Sequence, residues 1–269
     1  MKIKIHTMAA SLVAGALSLS LTSFAQSAEI VHINQTFESM PLGSISSGGG
    51  WAFSGGITAT VISSPVFEGT QALQITRSGS SSLTYGSNGT GNTSLILANN
   101  SSYQWSFAFR LDSATVASST AGTFVWLDTG SNTRAFAGLR INYNITASAY
   151  QLLYYSNLDA SATASASYTL LGTISTDQWY EANFDISVNS TGLISQDIQI
   201  GSYSASITDQ VNAAFDTGAT HVRIAISPQV DGSLMQYDNF YLATVPEPGT
   251  AACLLIGLAA TPLFFRKRK

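Results

Sequence analysis

The 269-residue chain is short of the residues most chemistry relies on. It has one cysteine, three histidines and 10% charged residues. Cys253 lies in a hydrophobic stretch near the C-terminus. The remainder therefore has no disulfide, no thiol nucleophile and no thiolate metal site. Lysine is absent between Lys4 and Lys267, and the basic residues of the intervening body are five arginines: Arg77, Arg110, Arg134, Arg140 and Arg223. Fourteen acids face them, a body charge of −9. Such a surface argues against nucleic acid and anionic lipid headgroups, and suits cations or neutral glycans. No Gly-x-Ser-x-Gly elbow, phosphate-binding glycine loop or long amphipathic helix occurs, and His32 and His221 are isolated, so no serine triad or zinc cluster is indicated.

The two ends are unlike the body. Lys2 and Lys4 precede an apolar run from Met8 to Leu21. Small residues follow at Ser23, Ala25, Ser27 and Ala28. That order is expected of a signal peptide over 1–28, cut by signal peptidase after Ala25 or Ala28, because the run is shorter than the ~20 residues a membrane span needs. At the other end, Val245-Pro246-Glu247-Pro248 leads into Gly249–Phe265, seventeen residues without a charge, and then Arg266-Lys267-Arg268-Lys269. A helix over 249–265 would reach about 25 Å, near the lower limit for the hydrocarbon core. The cationic cluster 266–269 would stay on the cytoplasmic side.

This three-part tail over 245–269 resembles the PEP-CTERM sorting signal of Gram-negative bacteria. The resemblance implies transient anchoring in the inner membrane, recognition of Pro246, Glu247, Pro248 and Arg266–Lys269 by an exosortase, and delivery to the cell surface or the exopolysaccharide matrix.

Residues 29–244 read as one all-β domain. In Ser102–Leu111 the side chains Tyr103, Trp105, Phe107, Phe109 and Leu111 alternate with Gln104, Ser106, Ala108 and Arg110. Period two means a strand with one buried face. Gln178–Val188 repeats it, with Tyr180, Ala182, Phe184, Ile186 and Val188 against Glu181, Asn183, Asp185 and Ser187. Further strands are expected over Glu29–Phe37, Ile57–Ser63, Gln71–Arg77, Ser94–Ala98, Thr123–Leu127, Ala135–Tyr143, Tyr150–Tyr155, Tyr168–Ile174, Ile194–Ile200, His221–Ser227 and Met235–Ala243. Turn sequences such as Ser87-Asn88-Gly89 and Val230-Asp231-Gly232 punctuate them. That spacing predicts a two-sheet antiparallel jelly-roll sandwich.

Several phrases resemble the concanavalin-A/laminin-G-like jelly rolls of surface proteins: Thr36-Phe37-Glu38 followed by a glycine loop and Trp51, Glu68-Gly69-Thr70-Gln71-Ala72-Leu73, Gln178-Trp179-Tyr180, and Tyr237-Asp238-Asn239-Phe240-Tyr241. Galactose-binding-like jelly rolls share some of them.

Candidate sites are few. A retaining glycosidase needs two carboxylates about 5 Å apart. Glu181 and Asp185, on one strand face, would stand about 13 Å apart and read as polar surface. A jelly roll that brings its first and last strands together would join Glu38 to Asp238, with Asn239 or backbone carbonyls completing a calcium site; two solvent-facing acids are the alternative. Trp51 is the candidate for stacking on a sugar ring, or else a buried lid, whereas Trp105, Trp126 and Trp179 read as core. With no carboxylate pair or triad in view, the expectation is a non-enzymatic surface or matrix protein that binds glycan or adheres. A glycan-active hydrolase or lyase on the same fold and a purely structural protein are the alternatives.

Mass spectrometry of the cell-surface fraction tests both ends. Cleavage after Ala25 or Ala28 and loss of everything beyond Pro246–Pro248 are expected; a retained 249–269 segment would leave simple anchoring.

Overall fold

The structure is a computed structural model that describes residues 29–45, 50–53, 56–77, 83–85, 98–115, 117, 122–128, 135–161, 164–211, 223–228 and 231–245. Residues Val31–Thr244 form one compact unit. A second unit comprises Met1–Ile30 and Val245–Lys269, of which Glu29, Ile30 and Val245 are described. The expected signal peptide and the hydrophobic tail segment lie outside the described residues. Among those residues no helix is long and apolar enough to cross a membrane.

The body is a two-sheet antiparallel sandwich of jelly-roll type. One sheet runs in the order β14 (Tyr203–Gln210), β13 (Ile194–Ile200), β12 (Trp179–Val188), β7 (Ser101–Leu111), β16 (Leu234–Val245), β5 (Ala72–Arg77), β4 (Ile57–Ile62) and β2 (Gly43–Ser44), with β1 (Ile30–Gln35) also paired to β16. The other runs β11 (Tyr168–Ile174), β10 (Ala149–Tyr155), β9 (Ala135–Asn144), β8 (Gly122–Asp128), β15 (Arg223–Pro228), β6 (Leu83–Tyr85) and β3 (Trp51–Phe53).

The alternation read from the sequence sets the facing. On β7, Tyr103, Trp105, Phe107, Phe109 and Leu111 are buried, and on β12 so are Ala182, Phe184, Ile186 and Val188. The pairing of Phe184 with Trp105 and Ala182 with Phe107 aligns these inward sets. Trp105 and Phe184 stack at 4.6 Å between ring centroids, and Phe107 stacks on Phe240 of β16 at 5.6 Å. Each such ring contributes about 1.5–3 kcal/mol by leaving water. Trp126 is buried, as expected. Trp179 is not: it is half-buried on the outer face, beside Glu181, because inward Tyr180 occupies the alternate position.

The short strands β2, β3 and β6 were not among the expected ones. Ser94–Ala98 falls largely outside the described residues. Strand β14 was not anticipated, because Tyr203-Ser204-Ala205-Ser206 offers small side chains where an apolar face is sought. It is an edge strand with Ile207 as its buried residue.

The two sheets meet at one margin through an aromatic close approach. A Cβ added to Gly172 of β11 would lie 2.4 Å from the Tyr203 ring of β14, and the Tyr203 hydroxyl donates to the Thr173 carbonyl at 2.7 Å. This side is closed because position 172 carries no side chain. Gly172→Val is expected to cost about 2 kcal/mol by overpacking and Tyr203→Phe about 1 kcal/mol by loss of the hydrogen bond. Urea melts measure both, and a Gly172→Val midpoint equal to wild type would refute the close approach.

Candidate functional site

Strand β16 carries an irregularity that shapes the outer face. Tyr237 and Phe240 are both fully buried, although they are three positions apart, so Asp238 and Asn239 occupy one inward–outward step. Asn239 takes a left-handed φ of 50°. This has the form of a bulge, and it re-aims the side chains at its crest. β5 pairs with β16 over Leu234–Tyr237 and stops there. β1 meets the strand farther on, where His32 Nε2 lies 2.7 Å from Thr244 Oγ1. Burial pushes the His32 pKa below its ordinary value.

The segment before β5 comes in at this interruption. Backbone N–H groups of Phe67 and Glu68 each donate to Asp238 Oδ2 at 3.3 Å, and the Asn239 N–H donates to Oδ1 at 2.8 Å. A second carboxylate holds the same segment. Thr70 donates to Glu38 through its N–H at 2.9 Å and its hydroxyl at 2.6 Å, and the Gln71 N–H donates at 3.0 Å. Gly69 lies at φ 68°, and a Cβ there would stand 2.4 Å from Glu38 Oε1; glycine is required on both counts.

Between this segment and the faces of β12, β7, β16 and β1 opens a groove of about 490 Å³. Its floor includes Ser106 and Ala108 of β7, and Asn34, Thr36, Tyr241 and Asn239 stand along one side. Three glutamates line it from separate elements: Glu181 from β12, Glu68 from the pinned segment, and Glu38, which Thr70 and Gln71 already engage. Asn239 Nδ2 donates to Glu68 Oε2 at 2.9 Å and orients that carboxylate. Phe67 forms a lip, 39% exposed, with its ring 5.8 Å from that of Trp179. Among the described lining residues none is basic. The nearest cation along β7, Arg110, pairs across the strand with Trp179 and is consumed by Asp177 at 2.5 Å, Gln236 at 2.9 Å and Asp112 at 3.2 Å.

The sequence-predicted candidates fare differently. Trp51 is 2% exposed, stacked on Phe37 at 5.9 Å and edge-on to Phe240 at 6.5 Å. It belongs to the core and offers no face to a sugar. Glu181 and Asp185 are separate surface groups, the latter accepting from Gln104 Nε2 at 3.2 Å. His221 lies outside the described residues. Glu38 and Asp238 do come together closely enough for Glu38 to raise the Asp238 pKa, and each uses three acceptor sites on N–H or O–H donors, leaving lone-pair capacity for a cation. Asn239, by contrast, turns its amide to Glu68. Among the described residues no three His, Cys, Asp or Glu side chains converge on a metal position, so backbone carbonyls would have to complete a calcium site. Glu68, Phe67 and Trp179 were missed as site residues. A search for carboxylate pairs along one strand cannot find a pair assembled from a strand and a loop.

Comparison with known proteins places the fold. The body superposes on the carbohydrate esterase of the Shiga toxin-encoding bacteriophage phi24B with a TM-score of 0.53 and 17% identity, covering 81% of this chain and all of that one. The endo-β-1,4-glucuronan lyase of the fungus Trichoderma reesei aligns with a TM-score of 0.49 and 12% identity over 79% and 94% of the two chains. A xylan-binding domain from Paenibacillus barcinonensis aligns at 0.40 and 12% over 82% and 98%. No family model matches the chain. No curated protein matches it either. The fold is thus one that a carbohydrate esterase shares along its whole length, and the expectation of a non-enzymatic body is corrected on that ground.

The two pinning carboxylates have opposite acid responses. Hydrogen bonds from Thr70 hold the Glu38 pKa below its ordinary value. Desolvation by burial, aided by Glu38, holds that of Asp238 above its ordinary value. Asp238 in the folded protein therefore takes up its proton before the unfolded chain does, so stability rises as pH falls from 7 toward its ordinary pKa of about 3.9. Glu38 contributes stability that is present above its ordinary pKa and is lost as pH falls through its depressed one. In EDTA-treated protein, the melting temperature of wild type relative to Asp238→Asn should rise between pH 7 and 4. A constant difference would show that the buried carboxylate is not strained by its charge.

Proposed function

We propose that the body is an exported glycan-active domain that holds a saccharide in the groove over β12, β7 and β16 and hydrolyses it with Glu181 and Glu68. The observation that carries this reading is that Glu181 and Glu68, from separate elements, both line one groove together with amides and hydroxyls. The volume is in the range of small-ligand sites, and hydroxyl and amide groups complement sugar hydroxyls. The fold shared with a carbohydrate esterase supports the same substrate class.

Glycoside hydrolysis asks for two carboxyl groups in complementary protonation states. Glu68, oriented by the Asn239 amide, is the base: it takes a proton from the water that attacks the anomeric carbon. Glu181, on β12, is the acid: covered by the bound sugar, which favours the neutral carboxyl, it takes up a proton from solvent and gives it to the departing glycosidic oxygen. One bond to the sugar forms and one breaks, and the two carboxyls exchange roles in protonation until solvent restores them. Tyr241, Ser106 and Asn34 position the sugar hydroxyls.

Export follows the same proposal. The N-terminal signal and the exosortase-type tail would deliver the body to the cell surface or matrix, where exopolysaccharide is the polymer at hand. A calcium ion held by Glu38 and Asp238 would relieve their repulsion and brace the groove wall.

Reducing-end release from a panel of plant and bacterial polysaccharides tests the chemistry. Glu181→Gln and Glu68→Gln should each lower release by about 10²–10⁴-fold with unchanged circular dichroism. Release at wild-type rate from either variant, or none from the parent on any polymer, would end the hydrolase reading.

A further inference from the structure

Resting on that glycan reading, we infer that Phe67, backed by the Trp179 ring, is the sugar-stacking platform at the lip of the groove and that the site selects an uncharged pyranose chain over a uronate chain. Two independent features point there.

The first is an aromatic pair left half open. Phe67 lies between Val66 and Glu68 in the segment ahead of β5, and remains 39% exposed although its ring touches that of Trp179. Trp179 is on the outer face of β12, two residues from Glu181, so the indole lies one step along the strand from a proposed reacting carboxyl. Strand rise places those positions about 7 Å apart, roughly one sugar residue along a chain. The backbone of Phe67 is tied to buried Asp238 and its ring rests against Trp179, which lowers the ordering cost on binding. An aromatic surface held beside amides and carboxylates matches a ring with one apolar face and equatorial hydroxyls, as in gluco- and xylo-configured sugars.

The second feature is charge. Glu38, Glu68 and Glu181 all line the groove, no described lining residue is basic, and Arg110 is already matched by two aspartates. A uronate at each sugar would set carboxylate against carboxylate without a cation to balance it. A neutral chain meets no such opposition.

Isothermal titration calorimetry tests this on the Glu181→Gln protein, which would leave the probe uncut and keeps Glu38 and Glu68 as the carboxylates that oppose a uronate. Cellohexaose and xylohexaose serve as neutral probes and a β-1,4-linked hexaglucuronate as the charged one. At least one neutral hexamer should bind, and the hexaglucuronate should bind at least tenfold more weakly at 150 mM salt. Adding Phe67→Ala should weaken the neutral hexamer about tenfold, and Phe67→Tyr should restore it. Phe67 is exposed enough for these changes to leave the fold intact, which circular dichroism checks. Binding that ignores Phe67→Ala, binding of hexaglucuronate equal to that of the neutral hexamers, or failure of both neutral hexamers would each overturn the inference. Because the readout is binding, a protein that binds as described yet releases no sugar would separate failure of the hydrolase reading from failure of this one.

Discussion

A single buried carboxylate, Asp238, fixes where this molecule has a groove at all. It sits at the bulge of β16, where β5 gives out, and three backbone N–H groups converge on it. Removing a carboxylate from water is costly unless its lone pairs are filled, so the N–H groups of Phe67 and Glu68 are drawn to this one place. Their side chains are then delivered together, one as an aromatic lip and one as a groove carboxylate. Were β16 regular, Asp238 would point to solvent, the segment before β5 would lose its anchor, and the outer face would be an open sheet.

Glu38 supplies the second fixed point, and it makes the segment stiff rather than merely attached. With Thr70 and Gln71 bound to one carboxylate and Phe67 and Glu68 to another, both ends of a short stretch are held. The two acids repel each other, and this repulsion is the cost of the arrangement. It resembles the cost of many functional sites, where groups are assembled that would not choose one another's company. The sandwich core below, with its stacked Phe107, Phe240, Trp105 and Phe184, supplies the rigidity against which that cost is tolerated.

Period two along β7 and β12 told which side chains point inward, and the sandwich was legible from it. Turn residues told where strands end. Legibility failed where the local signal and the tertiary outcome disagree. Trp179 has the composition of a core residue, but parity puts it outside, and parity was the better guide than size. Trp51, set beside glycines, looked like an exposed aromatic; an edge-on contact with a ring far off in sequence, Phe240, draws it inside. β14 is hidden because an edge strand with one face toward solvent needs few apolar residues. Of the site, the closeness of Glu38 and Asp238 was visible from the topology of a jelly roll, since first and last strands are neighbours. The joining of Glu68 to Glu181 was not, because no spacing rule connects a loop to a strand more than a hundred residues away.

Charge links the groove to the rest of the chain. A body without lysine and with fourteen acids against five arginines has few cations to spend, and those whose partners are described are committed: Arg77 to Asp231, and Arg110 to Asp112 and Asp177. A site for polyanions would require free guanidinium or ammonium groups on the outer face, and the sequence makes almost none. What it makes in abundance is hydroxyl, amide and aromatic surface, which can engage a neutral sugar from any side but offers a uronate no counter-charge. The selectivity proposed for uncharged glycan therefore needs no dedicated gate. It follows from how the chain distributes its cations, and the groove expresses locally what the composition imposes throughout.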